Sequence, residues 1–390
     1  MKFVLALICT FFILTSFGQN LDFNNGNFVN PDYFIELPYQ KINNKIIVDV
    51  ELGGKKRKFL FDTGAPMGIS RALFNELNYT VLSKQKLSDI NQNTDSLLFV
   101  KIDSLKIENN FITELPAVVL PNNLIMDCLE VDGFIGSNAL RNSVIQFDAK
   151  NQIIIITDNI SKLKLDILLG NDILLDQQSS PHLKFNIGEK ISEFALFDSG
   201  SDEFYSMANE KIEKFRKAKD FEIIYKSIGS NTLGFAGFAN NKETSLMFIP
   251  FIKLNGVKIG NIISESNNDI NSRIGVKMLN YGKLTLDYKN KKCFFEPYSN
   301  SQEFENNQFQ IDLNFTENHL CIGKIWTKEL SQQVEVGGKI ISINDTNVEN
   351  MTICEAIKNP PLNGSSIFKI VVKKNNGEFA TIEIEKIKRW

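Results

Sequence analysis

Residues 59–70 read FLFDTGAPMGIS: an apolar strand runs into Asp62, passes Thr63 and Gly64, and returns to apolar residues. A carboxyl group at the end of a buried run is costly unless it is paired or put to work. The stretch has an echo in residues 194–207, FALFDSGSDEFYSM, where Leu-Phe again precedes an Asp that is followed by a hydroxyl residue and Gly. The surroundings repeat as well. IIVDVELGGKKRKFLFD and HLKFNIGEKISEFALFD each read as strand, Gly-containing turn, strand.

The downstream halves also keep register. GFIGSNALRNSVIQFDAKN and SRIGVKMLNYGKLTLDYKN place Gly136 and Gly275 four residues before Leu140 and Leu279, and twelve before Asp148 and Asp287. Each Asp then opens an Asp-x-Lys-Asn turn. The first Asp lies 136 − 62 = 74 residues before its Gly, the second 275 − 198 = 77. Chance yields such tripeptides singly, but not tripeptides, glycine registers and turns together. Residues 30–157 and 178–297 are therefore two copies of one unit. Period-two apolar patches and frequent turn residues make it mostly β, with a short helix expected after each Gly, at SNALRN and VKMLNY.

The doubled motif resembles the two lobes of an aspartic protease, retropepsin-like in its branch and duplicated in one chain as in pepsin. The resemblance implies duplicated, closed barrel-like lobes related by a pseudo-twofold axis, spanning 30–157 and 158–297. It implies that Asp62 and Asp198 form the catalytic pair, supported by Thr63, Gly64, Ala65, Ser199, Gly200 and Ser201. Gly136 and Gly275 would line the strand beneath each Asp loop, and the hydroxyls of Thr63 and Ser199 would reach the opposite lobe. Two carboxyls sharing one proton supply a base and an acid for hydrolysing a peptide or protein substrate. Ala65 stands where many relatives carry a hydroxyl, which predicts an optimum nearer neutral than strongly acid. Arg273 occupies a slot where the family prefers an apolar residue, and is expected to snorkel at the lobe edge. Cleft-covering flaps are expected at 86–98 and 227–239.

The rest of the chain adds a leader and a tail. MKFVLALICTFFILTSFGQ carries one Lys, an apolar run and small residues at 16 and 18, which reads as a signal peptide over 1–18 and an exported protein, periplasmic or secreted. No later run could span a bilayer. After a polar linker at 298–308, residues 309–390 read as strands around one helix. The segment 337–345, GGKIISIND, resembles a PDZ domain, with Lys339 in place of the usual Asp. That resemblance implies capture of a peptide C-terminus, although the usual carboxylate loop is not evident.

A net charge of −3 offers no basic surface for nucleic acid. No Gly-x-Ser-x-Gly elbow, HExxH, P-loop or GxGxxG occurs, so neither metal nor cofactor is expected. His182 and His319 are the only histidines, and His182 reads as an ordinary surface or core residue. Cys128, Cys293, Cys321 and Cys354 are scattered without a CxxC pair and are expected as unpaired core residues. The alternative to an endopeptidase is a catalytically inactive, peptide- or protein-binding module of the same fold.

Overall fold

The computed structural model describes residues 23–388 apart from 89–93, 122–123, 166–169, 232, 235–236, 239, 300–301 and 317–318. The expected signal peptide, 1–18, lies outside them, as do parts of both expected flaps.

The fold is mostly β. In the first half, β1 (Phe34–Ile42), β2 (Lys45–Leu52) and β3 (Lys55–Asp62) form a meander. Gly53 and Gly54 turn β2 into β3 with φ of 63° and 71°, the two left-handed residues that a two-residue hairpin requires. Helix α1 (Leu124–Leu129) leads to β4 (Gly133–Gly136), and β5 (Val144–Asp148) and β6 (Ile153–Thr157) close the unit. The second half repeats the order with β7 (Asn171–Leu175), β8 (Pro181–Ile187), β9 (Ile191–Asp198), β10 (Glu222–Gly229), β11 (Arg273–Gly275), β12 (Gly282–Asp287) and β13 (Lys292–Pro297). The expected short helices form at Ser137–Leu140 and, as a 3-10 turn, at Val276–Asn280.

The halves are joined by one sheet in the order β1-β6-β5-β12-β13-β7. Its centre is the antiparallel pairing of β5 with β12, so equivalent strands meet across an approximate twofold axis. Both Asp-x-Lys-Asn turns fold alike. Asp148 accepts the Asn151 backbone N–H at 3.3 Å and its amide at 2.9 Å, and Asp287 accepts those of Asn290 at 3.0 and 2.7 Å. One apolar core runs through both halves, and Phe147 stacks edge-on with Phe61 and Phe197 at centroid distances of 5.6 and 5.5 Å. Those two rings each precede one motif Asp, so the core that unites the halves also seats both loops.

Hairpins occur at both expected flap positions. Val81–Ser88 pairs with Thr94–Ile107, and β10 pairs with Lys242–Leu254.

Beyond residue 308 the chain builds a separate sheet over its own apolar core: β14 (Ile311–Thr316), β15 (His319–Ile325), β16 (Lys339–Ile343), β17 (Ile367–Lys373) and β18 (Phe379–Glu385), with helix α2 (Ile353–Lys358) before β17. A capping box closes the start of α2, Thr352 and Glu355 each satisfying a free N–H at the other's end of the first turn. Lys339, in the departing slot, pairs with Glu349 at 2.8 Å.

This tail touches both halves. Toward the first, α2 lies on α1, Lys358 pairs with Glu130 at 2.7 Å, and Asn43 donates to the Ile357 carbonyl at 2.9 Å. Toward the second, β15 lies against β10. Ser230 N–H donates to the Gly323 carbonyl at 3.1 Å, Ile325 N–H donates to Ser227 Oγ at 3.1 Å, and Lys324 pairs with Glu265 at 2.6 Å. A Cβ on Gly229 would lie 1.9 Å from the Gly323 oxygen, so glycine is what lets these strands approach. Trp326 fills an apolar cluster with Leu246, Phe248 and Ile263.

The cysteine expectation is overturned in part. Cys128 on α1 and Cys354 on α2 form a disulfide across 226 residues of sequence, while Cys293 and Cys321 are free and buried. The two partners are brought together by docking of the tail, which no local spacing reveals. Among the described residues no helix is long and apolar enough to cross a membrane.

Loss of a native cross-link of this kind costs about 2–5 kcal/mol. Reduction should lower the denaturant midpoint of the wild type by that equivalent and leave the midpoint of Cys128→Ser/Cys354→Ser unmoved. Equal sensitivity of both proteins to reductant would contradict the pairing.

Candidate active site

The two motif loops meet at the junction between the halves. Strand β3 delivers Asp62 in parallel register with Gly136 of β4, and β9 delivers Asp198 in register with Gly275 of β11. Each loop is tightened in the same way. Ala65 N–H donates to the Asp62 carbonyl at 3.4 Å and Ser201 N–H to that of Asp198 at 3.1 Å; Ser137 N–H donates to the Ala65 carbonyl at 3.0 Å and Val276 N–H to that of Ser201 at 2.9 Å. A Cβ on Gly136 would sit 2.1 Å from the Pro66 carbonyl carbon, and one on Gly275 would sit 2.3 Å from the Glu203 oxygen. Both positions need glycine for packing rather than for backbone conformation.

The two loops then grip each other. Thr63 Oγ1 donates to the Phe197 carbonyl at 2.7 Å and accepts Ser199 N–H at 3.0 Å. Ser199 Oγ donates to the Phe61 carbonyl at 2.8 Å and accepts Thr63 N–H at 3.0 Å. Both side chains are fully buried, so these four bonds satisfy groups that would otherwise be orphaned away from water. Behind them Ser137 Oγ donates to the Thr63 carbonyl at 2.7 Å and lies 3.2 Å from the Tyr288 hydroxyl.

The grip brings the carboxyl groups face to face. Gly64 N–H donates to Asp62 Oδ1 and Gly200 N–H to Asp198 Oδ1, both at 2.9 Å. A Cβ on Gly64 would lie 2.4 Å from Asp198 Cγ, and one on Gly200 would lie 2.5 Å from Asp62 Oδ2. The glycines thus leave the gap that the opposite carboxyl enters. Burial, the Asp198 charge and a hydrogen bond with Asp198 push the Asp62 carboxyl up to about 8, against the opposing pull of Gly64 N–H and Lys45. Two such groups at close range hold one proton between them near neutrality.

All ten residues singled out by the motif therefore gather at this junction. Ala65 contributes backbone only, and Ser201 Oγ accepts the Glu203 N–H at 3.5 Å.

Arg273 departs from expectation. It is 8% exposed and turns inward rather than snorkelling. Its Nη1 donates to Asp198 Oδ2 and its Nη2 to Asp269 Oδ2, the latter at 2.5 Å. A guanidinium on a buried strand needs carboxylates to offset its lost hydration, and Asp269, four residues upstream, was the visible signal. Lys45 was missed as well. From the start of β2 it reaches across the junction, donates to the Gly200 carbonyl at 2.5 Å and pairs with Asp202 at 2.7 Å. His182 stays ordinary, half-buried and 3.9 Å from Asp176. Among the described residues no group of three or more His, Cys, Asp or Glu side chains could hold a metal.

Residues 48–139, which contain the first motif and its glycine, match the aspartyl protease family. Among solved structures the chain is similar to basic 7S globulin from soybean, at 11% identity over 68% of this chain and 95% of that one, with a TM-score of 0.40. It is also similar to conglutin gamma, a basic 7S globulin from lupine seeds, at 10% identity over 69% and 96%, with a TM-score of 0.38. A retropepsin-like aspartic protease from Rickettsia conorii matches at 13% identity over 34% and 94%, with a TM-score of 0.26. No curated protein matches. The fold is mostly β, with one motif Asp from each half at the junction, the first of them inside the segment that matches the aspartyl protease family.

Removing either gripping hydroxyl leaves two buried partners unmet, at a cost of about 1–3 kcal/mol. Thr63→Val and Ser199→Ala should each lower the unfolding free energy by that amount, and the double variant should lose less than the sum because both hydroxyls hold the same two loops in place. Strict additivity in a denaturation series would mean that the hydroxyls act independently.

Proposed function

We propose that the protein is an exported aspartic endopeptidase whose two lobes each supply one carboxyl group of a catalytic dyad, Asp62 and Asp198. The observation that carries this reading is the reciprocal Thr63–Ser199 grip, which aims both carboxyls at one point from two equivalent loops. A buried pair holding a single proton can do two things in one step. The charged member takes a proton from a water between them as that water attacks the substrate carbonyl carbon. The neutral member gives its proton to the carbonyl oxygen, stabilising the tetrahedral intermediate. Return of a proton to the amide nitrogen then lets the C–N bond break.

The substrate is a peptide or protein. The hairpins Val81–Ser88/Thr94–Ile107 and β10/Lys242–Leu254 would serve as flaps that exclude water around it. The Cys128–Cys354 disulfide supports passage through an oxidising compartment, in keeping with the leader over 1–18. The tail reads as a divergent PDZ-like domain over 309–390; its docking on both halves supports a positioning role beside or instead of peptide capture.

A second reading is a peptide-binding module of the same fold without turnover. One observation favours it: Arg273 occupies an oxygen of Asp198 that a catalytic water would otherwise approach.

Cleavage of a mixed peptide library decides between them, with wild type compared against Asp62→Asn and Asp198→Asn. Cutting by wild type and a loss of at least about a thousandfold in both variants is expected. Because the acid must keep its proton, and Asp62 is pushed up to about 8, activity should hold through mild acid and neutral pH and fall as pH rises through that value. A rate maximum near pH ~3 would contradict the Ala65 argument. No cutting at any pH by folded protein would leave the binding reading.

A further inference from the structure

The strands that support the two motif loops differ in one slot that touches the dyad. Two positions before the glycine of the supporting strand, the first half carries Phe134 and the second Arg273. Phe134 packs in an apolar cluster with Leu60 and Val118. Arg273 pairs with Asp198 itself. A pair of equivalent carboxyls would share its proton evenly; this pair is not equivalent.

Resting on the dyad reading above, we propose that Arg273 is a positioning residue that breaks the symmetry of the pair, fixing the negative charge on Asp198 and the proton on Asp62. Asp198 is then the base and Asp62 the acid from the outset. Three observations support it. The guanidinium is held at both ends, by Asp198 and by Asp269, so it cannot swing away without leaving Asp269 unpaired. Charge-assisted hydrogen bonds in a buried site are among the strongest side-chain interactions. The charge balance points the same way. The cations facing the dyad are Lys45 on β2 and Arg273 on β11, and the carboxylates already paired with them are Asp202, Asp198 and Asp269. Glu203, also close to Arg273, is pushed up by burial. A charge on Asp62 would be a further anion with no direct ion pair among the described residues, since Lys45, which pulls on it only at a distance, is engaged by Asp202 and the Gly200 carbonyl.

The assignment predicts a difference between two substitutions that the dyad alone treats as equivalent. Asn is a neutral mimic of a protonated Asp. Asp62→Asn should therefore leave the melting temperature at neutral pH unchanged. Asp198→Asn strips Arg273 of a partner in a buried site and should lower it by several degrees, or prevent folding. In an Arg273→Met background the gap between the two variants should close. Carbon-13 NMR of Asp carboxyls in the full-length wild type gives a second readout, with Asp62 protonated and Asp198 ionised at neutral pH; in Arg273→Met the two resonances should titrate together. Should Arg273→Met not fold, the two Asn variants and the wild-type spectrum suffice. Equal destabilisation by Asp62→Asn and Asp198→Asn, or an ionised Asp62 at neutral pH, overturns the assignment. Melting and NMR need no substrate, so absence of peptide cleavage would refute the protease reading while leaving this one to be judged separately.

Discussion

Four hydrogen bonds between Thr63 and Ser199 and the backbones facing them hold the rest in place. Each hydroxyl donates to a carbonyl on the opposite half and accepts the N–H of the opposite hydroxyl residue. Neither half can satisfy these groups alone, and both side chains are out of contact with water. Buried polar groups are tolerated only when fully paired, so the junction specifies one relative placement of the halves. The carboxyl groups inherit their geometry from it. Gly64 and Gly200 complete the arrangement by leaving room where a side chain would collide with the facing carboxyl.

Duplication accounts for the symmetry of the junction, and departures from duplication account for its chemistry. Phe61, Phe147 and Phe197 form a common floor, and the strands beneath pair across the axis. Against that background Arg273 and Lys45 stand out as charges without a counterpart in the other half. Burial makes each expensive, and each is met by carboxylates drawn from the second half alone. The electrostatic environment is therefore lopsided although the backbone is not, which is the condition under which two chemically identical side chains take different roles.

The architecture was legible because duplication turns weak local signals into a strong one. The registers of Gly136 and Gly275, and of Asp148 and Asp287, survive in the sequence because close packing and turn bonds fix them. The tail strands were legible from their alternation. Less could be read where the determinant is a contact between distant segments. Cys128 and Cys354 meet only because the tail docks. Lys45 reaches the junction by crossing between halves. Arg273 was visible as a charge in an apolar slot, but the direction of its side chain depended on Asp269 and Asp198 lying within reach.

The tail meets α1 of the first half through a covalent bond and β10 of the second through backbone hydrogen bonds and the seat of Trp326. The three bodies thus close a kinematic ring: first half to second through the central sheet, second half to tail, and tail back to the first. A ring of three members has fewer independent motions than a chain of three. Spreading of the two halves must be matched by slippage at one tail contact, and the disulfide places that slippage on the β10–β15 side. β10 leads into the second of the two hairpins, so the freedom of that hairpin is coupled to how firmly the tail holds the strand.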